Sequence, residues 1–250
     1  MIINNKNKYN FLKYNTITII LISIIIIIIV LYSNYYYGKQ FNICKKCNIN
    51  EVFFIDVKLL PEKLIKLLEF TIKKNGSRLN PELNFNNAKG KKLNYNQIPK
   101  EIINFYDNNY LERAVSEKLG ENVYFADKNE HYRIFARLYE DEDDFLDWHY
   151  DNNFTIGNRY TLVIPILVDK GNTSEFMIKD RKTGIEKIIP ISLGKGVIYN
   201  GSITYHKISE QTNGQRRLVI IIPFYSNYKK TFFGKIREFF RNITYKLLTL

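Results

Sequence analysis

An uninterrupted apolar segment near the N-terminus constrains this chain more than any other feature of its sequence. Residues 16–33 are almost wholly apolar, and no charged residue lies between Lys13 and Lys39. A helix of this length spans about 27 Å, close to the thickness of the hydrocarbon core of a bilayer. A buried core helix is rarely apolar on every face, and a cleaved signal peptide usually has a shorter apolar region. The sequence therefore predicts an uncleaved transmembrane anchor over 16–33.

The charges that flank this segment bear on its orientation in a membrane. Three lysines and the amino terminus precede it, and three lysines follow it. Positive charge resists translocation, so the slight N-terminal excess predicts a cytoplasmic tail over 1–15 and a lumenal or exterior domain, as in a single-pass protein of the endoplasmic reticulum or Golgi. Residues 34–50 are predicted to form a stalk. Cys44 and Cys47 in this stalk suit a local or interchain disulfide in an oxidising lumen, and two unpaired thiols are the alternative.

The composition of the chain excludes two broad classes of protein. The chain has 250 residues, of which 45% are hydrophobic and 15% aromatic, so the part beyond the anchor is a globular domain and not a disordered tail. The net charge of +12 would suit nucleic-acid binding. The basic residues are scattered, however, and Asn, Ile, Lys and Tyr are abundant throughout the chain. We therefore expect no nucleic-acid partner.

Helical and β-type patterns occupy different parts of the remaining chain. Residues 51–130 carry a helical pattern, in which helices follow Pro61 and Pro99 and a third helix ends at Gly120. Residues 131–226 carry short apolar segments separated by Gly, Asn and Asp turns, which predict about eight strands. This order predicts an α+β fold, with a β-sandwich or jelly roll and helices packed on one sheet. The predicted strands are 131–139, 145–150, 159–168, 174–179, 184–191, 196–200, 203–208 and 215–224, and an irregular loop is predicted over 77–97.

Two charged segments each have two interpretations. Residues 229–250 carry a basic amphipathic helical pattern, and such a helix could lie on a membrane surface or dock on the helical layer of the domain. Residues 140–144 are all acidic. They form either a solvated loop or a surface that attracts a basic peptide.

Two of the three histidines belong to a pattern that can bind a metal ion. His149 and Asp151 are two residues apart, which on an extended strand directs both side chains to the same face. His206, at the end of a later predicted strand, can supply a third ligand. Two histidines and one carboxylate leave adjacent positions open on an iron(II) ion. The alternative for His149 is an ordinary histidine at a strand edge, beside Trp148.

Together with Arg216, ten residues after His206, this pattern resembles the iron(II)/2-oxoglutarate dioxygenases of the prolyl and lysyl hydroxylase type. The resemblance is good over 131–226 and looser over 52–130. It implies a double-stranded β-helix, Fe(II), 2-oxoglutarate and O2 as co-substrates, and release of succinate and CO2; ascorbate is compatible with such a site. It also implies hydroxylation of a prolyl or lysyl side chain in a protein or peptide. Residues 140–144 depart from the family, in which many members have a Gly-rich turn at this point.

The resemblance also assigns roles to individual residues. The guanidinium of Arg216 would hold the distal carboxylate of 2-oxoglutarate, because it can contact both oxygens at once. Arg217 is adjacent and only one of the two can face the interior; the apolar pattern does not discriminate between them, and the family interval selects Arg216. Tyr139, ten residues before His149, and Thr161 would contribute hydrogen bonds to the co-substrate; the alternative for Tyr139 is a core tyrosine without such a role. The alternatives are an oxygenase for a nucleobase, lipid or free amino acid, and a non-catalytic jelly-roll membrane protein.

Overall fold

The computed structural model describes residues 51–79, 87–128, 130, 133–180, 182–232 and 234–236. The predicted tail, anchor and stalk, with Cys44 and Cys47, lie outside these residues. Within the described ranges, no helix is both long enough and apolar enough to cross a membrane. Of the predicted C-terminal helix, residues 232 and 234–236 are helical, and the rest of that segment is outside the described part.

Three helices and two antiparallel sheets make up the described domain. The helices are α1 (Glu62–Asn75), α2 (Lys100–Tyr106) and α3 (Asn109–Leu119), with a short 3-10 turn at Tyr95–Gln97. The strands are β1 (Val52–Asp56), β2 (Ser77–Leu79), β3 (Gly90–Leu93), β4 (Tyr124–Phe125), β5 (Phe135–Tyr139), β6 (Leu146–His149), β7 (Arg159–Val168), β8 (Phe176–Lys179), β9 (Glu186–Ile189), β10 (Lys195–Asn200), β11 (Tyr205–Ile208) and β12 (Arg217–Tyr225).

The strands are interleaved between the two sheets in the manner of a jelly roll. The major sheet has the order β1-β10-β7-β12-β5-β3-β2, with β4 paired to β12, and the minor sheet has the order β6-β11-β8-β9. Strands that are neighbours in sequence, such as β5 and β6 or β10 and β11, therefore lie in opposite sheets. All eight predicted strands after residue 130 are present, as β5 to β12. The predicted jelly roll with a helical layer is consistent with this arrangement.

The helical lead-in was predicted incorrectly in one respect, because it also contributes strands. β1 pairs with β10 at one edge of the major sheet, and β3 pairs with β5 near the other. β2 and β3 form an antiparallel pair within the region predicted as an irregular loop. The segment Val52–Asp56 is short and rich in β-branched and aromatic residues, which suits a strand better than a helix. The boundary predicted at residue 130 therefore does not separate helices from strands.

The helix ends agree with the sequence signals. α1 and α2 begin directly after Pro61 and Pro99. The side chain of Asn108 accepts a hydrogen bond from the backbone N–H of Leu111 at 3.0 Å, which caps the start of α3. α3 ends at Gly120, which has a φ of 65°, in the left-handed region that glycine adopts without strain.

Strand β12 separates two apolar cores and shows how the interior is built. Leu218 and Ile220 pack with the helices on the outer face of the major sheet. Val219 and Ile221 face the space between the two sheets. Side chains alternate between the faces of a strand, so Arg217 lies on the same side as Val219. Because both faces of β12 are covered, apolar residues occupy both, and hydrophobicity alone does not reveal its register.

Candidate metal centre

The three predicted metal ligands lie together between the two sheets. His149 at the end of β6 and His206 on β11 are directly opposite each other, with ring centroids 4.1 Å apart. Asp151 follows β6 by two residues and lies just beyond the end of the strand. One ligand atom from each of the three residues lies within 4.8 Å of the other two.

Backbone carbonyl groups fix the orientation of both imidazole rings. Nδ1 of His149 lies 2.8 Å from the carbonyl oxygen of Asp147, and Nδ1 of His206 lies 2.9 Å from that of Thr204. A carbonyl oxygen can only accept, so each Nδ1 carries the proton and each Nε2 keeps a free lone pair. The hydroxyl of Tyr199, 3.1 Å from Nε2 of His206, can donate to that lone pair. The hydrogen bonds from Nδ1 to the backbone carbonyl oxygens hold metal-binding histidines in the correct tautomer.

Burial also keeps both histidines in the form that binds metals. Burial lowers the pKa of His206 to about 4. Burial, followed by the charge of His206, lowers the pKa of His149 well below its usual value. Both imidazoles are therefore neutral at neutral pH, and a neutral imidazole is the form that binds a metal ion.

This shift predicts a pH dependence of the metal-free protein. His206 has an ordinary pKa of 6.5 when exposed and about 4 when folded, so the unfolded chain binds more protons between these values. The free energy of unfolding should therefore decrease as the pH falls from about 6.5 to about 4. Urea titrations across this pH range measure the free energy of unfolding, and His206→Gln should flatten its dependence on pH. A profile for the variant as steep as that of the wild type would contradict the prediction.

Three neighbours hold Asp151 in place, two through its carboxylate and one through its backbone. Thr161 donates to Oδ2 at 2.5 Å, and Nη1 of Arg159 lies 2.9 Å from the same oxygen. The Arg159 contact is an ion pair without hydrogen-bond alignment. Gly201 accepts a hydrogen bond from the backbone N–H of Asp151 at 2.8 Å, and a Cβ on Gly201 would collide with Oδ2. Oδ1 then lies 3.8 Å from Nε2 of His149. Thr161, predicted to bind the co-substrate, instead hydrogen-bonds this ligand.

The donor set fits iron(II). Two imidazole nitrogens and one carboxylate, all converging from one side, are the ligands of non-haem iron enzymes that leave adjacent positions free for other ligands. A structural zinc site would require four protein ligands, more than the three that the described residues bring together.

The structure places Arg216 on the wrong face for the role that the family interval assigned to it. Its guanidinium contacts Asp169 through Nε at 2.8 Å and Nη2 at 3.1 Å, and Glu69 of α1 through Nη1 at 2.7 Å. Its side chain is 38% exposed. The hydrogen bonds that Arg216 donates to Asp169 and Glu69 raise its pKa, so it is firmly charged and already paired. The prediction that Arg216 faces the interior is wrong, because the register of β12 differs by one residue.

Arg217 is the arginine that enters the interior. It is 1% exposed, and Nη1 donates to the carbonyl oxygen of Ser174 at 3.2 Å. Nε and Nη2 are buried and have no hydrogen-bond partner among the described residues. Burial lowers its pKa to about 10, so it remains charged at neutral pH. A buried guanidinium with unpaired nitrogens is costly unless an anion completes it.

Tyr139 lies beside Arg217. Arg217 and Tyr139 are paired across β12 and β5, and the guanidinium lies 6.0 Å from the centre of the tyrosine ring. Tyr139 is 1% exposed, and its hydroxyl accepts a weak hydrogen bond from Nη1 of Arg137 at 3.4 Å. The hydroxyl proton is therefore available for an acceptor in the same space.

The acidic segment 140–144 is largely neutralised within the protein. Glu140 pairs with Lys91 at 2.7 Å and with Lys73 at 3.2 Å, and Asp141 pairs with Arg78 at 2.7 Å. Asp144 is buried, and its Oδ2 accepts backbone hydrogen bonds that hold the loop together. These contacts favour a structural loop over a surface that attracts a basic peptide.

Sequence reasoning missed four residues of the interior. Arg137, Tyr199 and Gly201 were not singled out, and Arg159 was only the first residue of the predicted strand 159–168. Period-two alternation would have found Arg137, since it lies two residues before Tyr139 on the same strand. The close approach at Gly201 has no sequence signal beyond the glycine itself.

Comparison with known proteins identifies the fold. No family model and no curated protein sequence matches the chain. Solved structures do match. A 2OG-Fe(II) oxygenase family oxidoreductase from Burkholderia pseudomallei has a TM-score of 0.54 at 8% identity, over 78% of this chain and 94% of that one. The α-ketoglutarate-dependent epimerase SnoN of nogalamycin biosynthesis has 0.53 at 10% identity, over 75% and 81%.

A third structure was solved with ligands in its site. HygX from Streptomyces hygroscopicus, with nickel and 2-oxoglutarate bound, has a TM-score of 0.50 at 7% identity, over 75% of this chain and 86% of that one. At such identities the similarity concerns the fold. This chain has the fold of the 2-oxoglutarate-Fe(II) oxygenases, with a His-Asp-His cluster that fits their iron site.

Proposed function

We propose that this protein is an Fe(II)- and 2-oxoglutarate-dependent dioxygenase. The observation that carries the proposal is one interior that holds three converging metal ligands and, elsewhere, a buried arginine with unpaired nitrogens. A metal site alone would suit many activities. The addition of Arg217 supplies a partner for a carboxylate whose other end reaches a metal, which is the shape of 2-oxoglutarate.

The metal and the co-substrate would be bound by different residues. His149, His206 and Asp151 would hold Fe(II), which with bound 2-oxoglutarate and O2 supplies oxidation of a substrate C–H bond coupled to formation of succinate and CO2. Arg217 would contact both oxygens of the distal carboxylate through Nε and Nη2, and the hydroxyl of Tyr139 would donate a further hydrogen bond.

The apolar walls of the interior have a role as well. Val219, Ile221, Phe176 and Val163 surround the polar groups and are buried or nearly so. Exclusion of water strengthens the ion pair between Arg217 and a carboxylate, because the local dielectric constant is low. It also protects reactive species from side reactions.

Formation of succinate tests this proposal. The full chain in detergent, supplied with Fe(II), ascorbate, O2 and 2-oxoglutarate, should produce succinate slowly without any substrate and faster with one. Chelation of the metal should stop both. Absence of metal-dependent succinate under these conditions, in protein shown to be folded, would overturn the proposal.

Within this activity, hydroxylation of a prolyl side chain is favoured over that of a lysyl side chain. The interior contains Arg137, Arg159 and Arg217, and a lysyl ammonium group placed among them would be repelled. The ring of a prolyl residue in a peptide carries no charge, because its nitrogen is part of an amide. Incubation of proline- and lysine-containing peptides, followed by mass spectrometry, should reveal a gain of one oxygen on proline alone. Oxygen added to lysine would contradict this preference.

We further propose that the enzyme is anchored in a membrane by residues 16–33, with its domain on the lumenal or exterior side. The apolar segment and the slight excess of positive charge before it support this. In sealed microsomes, a protease added from outside should leave the domain intact until detergent is present. Digestion without detergent would place the domain in the cytosol and reverse the orientation.

A further inference from the structure

A buried tyrosine hydroxyl lies against the nitrogen with which His206 would bind the metal ion. Tyr199 is on β10 and is 3% exposed, and its hydroxyl lies 3.1 Å from Nε2 of His206. Among the described residues, His206 is the only hydrogen-bond partner of this hydroxyl. Nδ1 of His206 is held by the carbonyl oxygen of Thr204, so a metal ion has to bind Nε2. The hydroxyl and the metal ion therefore need the same lone pair.

The neighbours of Tyr199 fix its ring beside the metal ligands. The ring centroid lies 4.7 Å from that of His206 and 5.1 Å from that of Phe176. On the other side, Tyr199 is paired across β10 and β7 with Thr161, which hydrogen-bonds Asp151. The hydroxyl group has little freedom to leave this place when a metal ion binds.

The hydroxyl must also lie close to a metal ion that binds here. A hydrogen bond to Nε2 of His206 and a metal bond to the same atom both approach from its lone-pair side. For a metal–nitrogen bond of about 2.1 Å, any direction on that side brings the hydroxyl oxygen of Tyr199 within about 4 Å of the metal ion. The hydroxyl is therefore next to the space that further ligands of the metal would occupy.

The hydroxyl of Tyr199 needs a new acceptor once His206 binds a metal ion. Burial raises the pKa of Tyr199, and the charges of nearby arginines oppose this rise. These are Arg159, Arg137 and Arg217. A guanidinium group has no acceptor, so none of them can replace His206. The carboxylate of Asp151 already accepts a hydrogen bond from Thr161 and would itself bind the metal. A buried hydroxyl without an acceptor is costly.

We propose that the hydroxyl of Tyr199 donates a hydrogen bond to the end of 2-oxoglutarate that faces the metal. The inference rests on the proposed function, and it adds a second contact at the opposite end of the co-substrate from Arg217. In the metal-free protein the same hydroxyl donates to His206, so it exchanges one acceptor for another when metal and co-substrate bind. A charged oxygen is a strong acceptor for such a bond.

Two ligands with different distal ends locate this contact. 2-Oxoglutarate has a distal carboxylate for Arg217, whereas oxalate chelates a metal ion through two oxygens and has no distal end. Calorimetric titration of each ligand into the Mn(II)-loaded full chain in detergent measures affinity without turnover. Tyr199→Phe removes one oxygen and keeps the ring, and it should weaken both ligands by about tenfold. Arg217→Met should weaken 2-oxoglutarate alone.

Tyr160→Phe is the matched control for Tyr199→Phe. Tyr160 precedes Thr161 on β7, and its hydroxyl donates to Glu121 at 2.7 Å. Side chains alternate between the faces of a strand, so its loss should leave both affinities within about twofold of the wild type. The affinity of Tyr199→Phe for Mn(II) alone should not fall, because the hydroxyl leaves Nε2 of His206 when the metal binds.

Wild-type affinity of Tyr199→Phe for both ligands would overturn the inference. A loss confined to 2-oxoglutarate would also overturn it, because the hydroxyl would then act at the Arg217 end. A fall in Mn(II) affinity would overturn it as well, since the hydroxyl would then act on the metal or on Asp151. Failure of the wild-type protein to bind 2-oxoglutarate at all would overturn the proposed function itself, and this inference with it.

Discussion

Replacing Asp151 by Asn is expected to lower the affinity for Fe(II) by at least about 100-fold and to abolish succinate formation. Loss of a group that only orients a metal ligand lowers metal affinity or activity by about 10- to 100-fold. Asp151 is proposed to be a ligand itself, so a larger loss is expected. The amide keeps the shape of the side chain and can still accept the hydrogen bond from Thr161. The fold should therefore survive, and calorimetric titration with Mn(II) measures the loss directly.

Asp147→Asn is the matched control for this substitution. Asp147 lies on β6, and its carboxylate accepts a hydrogen bond from Asn87 at 3.2 Å and does not belong to the cluster of three metal ligands. Its backbone carbonyl, which orients His149, is unchanged by the substitution. We expect metal affinity close to that of the wild type. Equal metal binding by wild-type protein and the Asp151 variant would remove Asp151 from the ligand set.

Replacing Arg217 by Met is expected to weaken 2-oxoglutarate binding by about one to two decades. A hydrogen-bonded charge pair of this kind contributes about 1.5–3 kcal/mol, which corresponds to that range of affinity. Met has a similar length and no charge, so the buried space stays filled. Calorimetric titration of 2-oxoglutarate into the Mn(II)-loaded protein measures the effect, and metal affinity should change little.

The effect of Arg216→Met distinguishes between the two possible registers of β12. Arg216 contacts Asp169 and Glu69 on the outer face, so its loss should leave 2-oxoglutarate affinity unchanged. Its ion pairs are partly exposed, and the loss of stability should be about 1 kcal/mol or less. A large effect of Arg216 on 2-oxoglutarate affinity, with none for Arg217, would show that β12 has the opposite register in solution.

The metal ligands could be predicted from sequence because their geometry is local. His149 and Asp151 are separated by one residue, and an extended chain brings such a pair to one side whatever the rest of the fold does. The strand that carries His206 was also visible as a short apolar segment. The position of His206 directly opposite His149 depends on the pairing of β11 with β6, which the sequence does not reveal.

The choice between Arg216 and Arg217 could not be made from sequence for a physical reason. A shift of one residue moves every side chain of a strand to the other face. Both faces of β12 are buried and apolar, so neither register left a polar side that could be recognised. The register is that of the pairing of β12 with β5 and β7, and it places Arg216 on the outer face, where it pairs with Asp169 and Glu69. The family interval was a weaker guide than these contacts.

The strands β1 to β3 were missed because their stability depends on the major sheet. β1 has five residues, β2 three and β3 four. Length alone does not explain the omission, because β6 and β8 also have four residues and were predicted. Short segments at the edge of a sheet carry little periodic signal of their own. They form because β10 and β5 offer unpaired edges, which is a property of the assembled fold.

Anomalous diffraction from crystals of the protein with Mn(II) and 2-oxoglutarate tests the central claim most directly. Manganese binds the ligands that suit iron and does not activate oxygen in the same way, so the co-substrate should remain intact. We expect one strong anomalous peak within coordination distance of Nε2 of His149, Nε2 of His206 and a carboxylate oxygen of Asp151. The distal carboxylate of 2-oxoglutarate should lie on Arg217. A metal peak elsewhere, or a co-substrate that contacts Arg216 and leaves Arg217 unpaired, would contradict the account.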